Sequence, residues 1–434
     1  MIATLIISTI VFISIAVSLI VFPKIKIGKI AISTYWVIAL LGAIILLAFS
    51  FAPANEVFKQ LTANTKINPI KILVLFFSMT LISILLDEYG LFQYLANLAV
   101  KNAKGNQYAM FFSLYSLVAV LTVFTSNDVV ILTLTPFICF FCKRTHINPL
   151  PYLIAEFAAA NTWSLMFLIG NPTNIFLSTS AGIDFINYLK VMWLPTIGAG
   201  LVELLIIFLL FKNKLKEKIT TIDEEVKVKG SKVMLIVGVA HLIVCLIFLI
   251  LASYINIEMW IISAICAMSL FFFTVAIALV RRKDWFFVTK AAKRLPYPLI
   301  PFFLSMFVIV VAFNCQGIST KIAQLFGNQN IIWIYGYSSY LTSNIINNIP
   351  MSILYSTLCS NLEPANYTAG IFASIIGSNL GAFLTPMGAL AGIMFTNLLN
   401  EHEVKFSFID FMKYGVVISL PTISVALALL FVTL

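Results

Sequence analysis

Four short polar stretches interrupt an otherwise apolar chain, and their residue types suit the binding of ions or small solutes. The first is Thr125-Ser126-Asn127-Asp128. The second runs from Asn161 to Gly170-Asn171-Pro172-Thr173-Asn174. The third joins Thr342-Ser343-Asn344 to Asn347-Asn348-Ile349-Pro350, and the fourth carries Ser378, Asn379, Thr385, Pro386 and Gly388. Asn and Ser offer both donors and acceptors. Asp128 is the one acid among these stretches. A carboxyl at membrane depth is costly and marks a coupling or substrate site. It can exchange a proton, or stay ionised beside Na⁺; a sodium site is expected near Asn127 and near Asn344. Capping of half-helices would also use Ser and Asn, but four such sites in matching places favour binding. No Arg lies inside an apolar tract, so the bidentate clamp usual for strong anions is missing. That points to a neutral solute, a cation, or an anion held by helix ends and amides.

Gly, Pro and Asn inside tracts long enough to cross a bilayer mean backbone that leaves the helix at membrane depth. Such backbone is tolerated only against protein or a polar cavity. Broken helices are therefore expected over 151–182 and 367–398. Asn161 pairs with Asn379 and Gly170 with Gly388 at one constant offset, and Ser78 to Gly90 resembles Ser305 to Gly317 at equal length. Apolar tracts cover 2–22, 30–52, 72–100, 107–142, 151–182 and 191–211, then 233–254, 258–280, 299–318, 331–360, 367–398 and 408–434. The expected fold is an all-α polytopic membrane protein with an inverted-topology repeat. Each half would have five crossings, a re-entrant hairpin (107–142 and 331–360) and a broken transmembrane helix. The first repeat is 1–211, a cytoplasmic linker 212–232, and the second repeat 233–434. Paired breaks in two such halves are the sequence sign of a transporter site.

The chain of 434 residues is 61% hydrophobic and 10% charged, far from the roughly 25% charged residues of soluble domains. Its net charge of +10 comes from short loops, where Lys and Arg set orientation, so nucleic acid is not an expected partner and the lipid bilayer is. Most basic residues fall on one side if both termini lie outside. Ile2–Phe22 lacks a charged n-region and reads as a first span rather than a signal peptide, which places the chain in the cell membrane. Six scattered Cys give no disulfide framework, and Cys139-x-x-Cys142 reads as apolar packing. No nucleotide loop, paired His motif or Ser-His-Asp set appears, so an enzyme is not expected and no cofactor beyond a coupling ion, H⁺ or Na⁺. Glu203 and His241, alone in apolar tracts, read as packing between helices. Glu156 reads as lying just inside the inner boundary. Asp87-Glu88 reads as a helix-end pair.

These residues resemble the ion transporter superfamily, and most closely its arsenite efflux pumps. The resemblance rests on Ser83 to Phe92 with Asp87 and Gly90, on Ser126-Asn127-Asp128 ahead of Thr135-Pro136, on Asn347-Asn348-Ile349-Pro350, and on Ile376 to Ala391. Where the pumps carry Asp, this chain carries Asn379. The Gly170-Asn171-Pro172-Thr173-Asn174 motif is instead similar to that of the divalent anion/sodium symporters. The resemblance implies a scaffold, a transport domain of hairpins and broken helices, and alternating access. It implies efflux of arsenite or antimonite against protons, or alternatively sodium-coupled transport of a small inorganic or carboxylate anion. A homodimer is implied by the symporter branch, and a separate ATPase subunit would serve an arsenite pump.

Overall fold

Apolar composition makes helices the dominant answer, because only helices or closed barrels satisfy every backbone group inside a bilayer. The computed structural model describes residues 1–22, 24–27, 30–64, 68–216, 232–281 and 285–434. Most of the expected linker therefore lies outside the described residues. Seven helical stretches among the described residues are long and apolar enough to cross a membrane, Phe185–Phe211 and Phe408–Thr433 among them.

One expected tract is divided. The tract 72–100 is a helix, Pro69–Glu88, followed after Gly90 by a shorter one, Leu91–Asn102; in the matching place, Leu299–Cys315 fills the tract 299–318 and a short helix, Ile318–Phe326, follows it beyond Gly317. Gly90 and Gly317 make these corners with φ of 89° and 68°, a conformation that favours glycine. Three further elements were not foreseen. Lys24–Ile27 pairs antiparallel with Ile30–Ser33, so the tract 30–52 begins as a strand and turns helical at Thr34. Ala54–Thr62 and Trp285–Arg294 are short amphipathic helices between spans.

The expected hairpins are each two helices joined at a tight tip: Gln107–Phe124 to Asn127–Thr145, and Ile331–Ile346 to Asn348–Cys359. Thr125 and Ser126 leave the helix at the first tip. Asn347, at φ 72°, turns the second. The broken helices run Leu150–Trp163 to Pro172–Ser180, with one 3-10 turn at Leu168–Gly170 between, and Pro364–Gly381 to Leu390–Glu401. Both breaks have the same length, with Asn171 and Ala389 as the residues that restart the helix.

Packing follows the same duplication, with partners exchanged between the halves. Pro69–Glu88 packs on Met259–Arg281, while its counterpart Leu299–Cys315 packs on Thr34–Ala48. Asn127–Thr145 packs on Leu390–Glu401, while Asn348–Cys359 packs on Pro172–Ser180. Phe185–Phe211 and Phe408–Thr433 pack on each other. Small residues let the closest pair meet. A Cβ on Gly381 would lie 2.7 Å from Tyr340 O, and one on Gly377 would collide with Gly336 O and lie 2.8 Å from Tyr340 N. This is the small-xxx-small contact of membrane helices, here between Pro364–Gly381 and Ile331–Ile346.

Candidate functional site

The ends of the broken helices meet at the middle of the molecule, and side-chain amides join them. Asn379, in the last turn of Pro364–Gly381, donates through Nδ2 to Asn174 Oδ1 (2.6 Å) and to Ile375 O (2.9 Å). Its Oδ1 accepts from Ser164 Oγ at 2.9 Å. Asn174 donates to Ser164 O at 2.8 Å, across the break. Ser164 Oγ also lies 2.7 Å from Asn161 O, and Asn161 Oδ1 accepts from Asn127 Nδ2 at 3.3 Å. One connected set thus spans the first tip and both broken helices.

A second set ties the other tip to the second break. Asn344 Nδ2 donates to Gly381 O (2.9 Å) and Tyr340 O (2.8 Å), and Asn344 Oδ1 accepts from Thr385 Oγ1 (2.7 Å). Asn347 Nδ2 donates to Met387 O (3.1 Å). The backbone N–H of Asn348 donates to Gly388 O at 2.9 Å. Ser343 Oγ donates to Tyr340 O at 2.9 Å, and Pro386 lies in the break. Gly388 is needed for this approach, since a Cβ there would lie 2.7 Å from Gly381 O and 2.8 Å from Asn344 Oδ1. Gly170 plays the same part in the first break, where a Cβ would collide with Ser164 O.

Not every expected site residue joins these sets. Asn171 caps its helix by accepting from Thr173 N (3.1 Å) and Thr173 Oγ1 (3.0 Å), with Pro172 at the first helical position. Asn171 and Thr173 therefore serve the cap. Asp128 is half-buried in the first turn of Asn127–Thr145, where a negative charge suits the helix end. It has no hydrogen-bond or ion-pair partner among the described residues. Three buried oxygens in the expected site also lack one: Ser126 Oγ, Asn127 Oδ1 and Ser378 Oγ. Such groups cost about 1–3 kcal/mol each when left unpaired. Ser126 and Asn127 thus each keep an oxygen without a partner, whereas at Asn344 the oxygen is already held by Thr385. No Lys, Arg or His is buried among the described residues.

Sequence reasoning missed several polar groups. Ser164 bridges the two broken helices. Glu156 is buried, 1% exposed, and accepts from Thr135 Oγ1 at 2.9 and 3.0 Å. Glu203 accepts from Thr162 Oγ1. The available signal for both acids was a carboxyl inside an apolar tract. Asp87 and Glu88 do end a helix, but buried, and pair with Arg294.

The family profile described as "CitMHS: Citrate transporter" matches residues 17–377. The chain belongs to that family. It is a family of membrane transporters, so the chain is a multi-pass membrane transporter and not an enzyme. The chain is also similar to an "Arsenical pump membrane protein" of Escherichia coli, 26% identical over 82% of this chain and 84% of that one. It resembles a "46 kDa membrane protein" of Mycobacterium leprae, 24% identical over 90% and 91%. A "Putative arsenical pump membrane protein" of Bacillus subtilis is 22% identical over 85% and 88%. The fold is that of the Alcanivorax borkumensis YdaH transporter, a solved structure described as having an unusual topology. The two superpose with a TM-score of 0.55 at 14% identity, covering 99% of this chain and 97% of that one.

Proposed function

We propose that this transporter exports arsenite or antimonite, as the neutral trihydroxide, in exchange for protons. The observation that carries this reading is the uncharged amide and hydroxyl network from Asn127 to Asn379, with no buried cation beside it. Hydroxyls of a neutral solute both donate to and accept from such groups without leaving a buried charge unpaired. The arsenical pumps among the relatives support the same reading. Asp128, next to Asn127, takes and releases the proton. Ser126, Asn127, Asn161, Asn174, Ser378 and Asn379 line the solute side, and the two halves, as inverted repeats, move it past a scaffold by alternating access. Both termini lie outside; an epitope at either end is expected to be accessible on intact cells, and an epitope seen only after permeabilisation contradicts that orientation.

A second reading, sodium-coupled transport of a carboxylate anion, is favoured by Ser126 Oγ and Asn127 Oδ1. Buried oxygens without partners on two consecutive residues suit a small cation, and the family's description names citrate. Arsenite uptake into everted vesicles separates the two. Saturable uptake driven by a proton gradient and lost in Asp128→Asn is expected. Citrate uptake that requires sodium, with no arsenite uptake, would replace the first reading by the second.

A further inference from the structure

Glu203 lies on Phe185–Phe211, outside both polar sets, and is 2% exposed. Its neighbours are hydroxyls and no cation. Thr162 Oγ1 donates to its Oε2. Its Oε1 lies 3.1 Å from Tyr115 Oη. Tyr115 Oη also lies 2.7 Å from Gly200 O and 3.1 Å from Trp163 Nε1.

The hydrogens around Tyr115 can be counted. Trp163 Nε1 is a donor only, Gly200 O an acceptor only, and the Tyr hydroxyl carries one hydrogen. If Tyr115 donates to Gly200 O, the nearer oxygen, the remaining contact with Glu203 is a hydrogen bond only when Glu203 carries a proton and donates it. If Glu203 is ionised, Tyr115 turns its hydrogen to the carboxylate and Gly200 O keeps only its helical donor. We propose that Glu203 is a proton-binding site whose two states switch the Tyr115 hydroxyl between Glu203 and Gly200, and so alter the grip of helix Phe185–Phe211 on the end of Leu150–Trp163.

The position gives that switch a route to the solute. Thr162 and Trp163 directly follow Asn161 and precede Ser164, both in the central network. Gly200 is where Trp163 rests, for a Cβ there would lie 2.6 Å from its ring. The other titratable groups on the packed elements are engaged elsewhere. On Leu150–Trp163, Tyr152 donates to Gln107 Oε1 at 2.8 Å and Glu156 holds Thr135. On Gln107–Phe124, Tyr108 donates to Lys212 O. Asp410, Lys413 and Tyr414 of Phe408–Thr433 sit near the Phe211 end, where Tyr414 packs on the Phe211 ring at 5.4 Å. His241 of Lys232–Leu251 faces Val237 O and Ser269, and Lys232 begins that helix. Along its own helix, Tyr188 donates to Leu165 O at 3.0 Å, and Lys190 lies toward the N-terminal end, thirteen residues before Glu203.

The coupling role rests on the proton-driven reading above; the proton site itself does not. Infrared difference spectra of protein in liposomes, titrated with pH, test the site without transport. A carboxylic C=O band that titrates in the wild type is expected to be absent in Glu203→Gln, shifted in Tyr115→Phe and retained in Asp128→Asn. An unchanged titrating band in Glu203→Gln, or none in the wild type, overturns the proposal. In vesicles, Glu203→Gln is expected to keep arsenite-for-arsenite exchange while losing accumulation driven by a pH gradient. Retained accumulation overturns the coupling role, and wild-type vesicles that carry no arsenite sink the substrate reading while leaving the infrared result to stand or fall alone.

Discussion

Asn379 links Asn174, Ile375 and Ser164 with one side chain, at a position where the arsenite pumps carry Asp. Replacing it by Leu leaves Asn174 Oδ1 without a donor in a dry site. The expected loss is about 1–3 kcal/mol, read as a lower thermal midpoint in detergent. Asn379→Asp behaves differently. A protonated Asp can donate to Asn174 Oδ1 and an ionised one cannot, so the variant's deficit is expected to shrink as pH falls. A deficit that grows in acid would contradict the donor role of Nδ2. The amides of this network were legible because Asn in an apolar tract has few other uses. Ser164 was not, and the partners of Glu203 were not: a single Ser carries no periodicity, and the groups that Glu203 meets come from elements far away in the chain.

At the scale of elements, the broken helices were legible because Gly, Pro and Asn mark where a helix must stop. Their ends fall within a few residues of the expected tracts. The corner at Gly90 was hidden because the apolar run continues through it, and at Gly317, at the end of its tract, because only the left-handed φ reveals the turn. The strand pair near Lys24 was hidden too, being four residues long on each side. The contact of Pro364–Gly381 with Ile331–Ile346 gives a direct test. Gly377→Leu has to push Tyr340 and Gly336 away, moving Asn344 off Gly381 O and opening the second polar set. The expected outcome is loss of a monodisperse peak in size-exclusion chromatography. A normal peak with normal melting would mean that the two helices do not meet there.

Across the whole molecule, several polar ties join the halves away from the site, Lys71 to Glu258 at 2.8 Å and Lys143 to Glu403 at 3.1 Å among them, and a buried one centres on Arg294. Arg294 pairs with Asp87 at 2.6 Å and with Glu88, Lys290 reaches Glu88 at 2.9 Å, and Thr133 of the first tip's second helix donates to Asp87 at 2.8 Å. The two carboxylates are almost fully buried, and removing the guanidinium leaves Asp87 without an ion pair and Glu88 with Lys290 alone. Arg294→Ala is expected to cost about 3–5 kcal/mol, read by thermal unfolding. A change below about 1 kcal/mol would class the tie with exposed pairs. The paired hairpins and helix breaks were legible in sequence, but this tie was not, since Arg294 lies in a loop by hydropathy and only packing brings it to Asp87.

The exchange of partners between the halves has a consequence for how the protein is made. At about 5–20 residues per second, the second half follows the first out of the ribosome by roughly 10–40 s. During that time Pro69–Glu88, Asn127–Thr145 and Pro172–Ser180 lack the surfaces they end against. The first half must wait in the bilayer as an incomplete bundle, its polar tip held by lipid-embedded neighbours or by a chaperone. Cut within 217–231, the two fragments are expected to be degraded when made singly and to accumulate when made together.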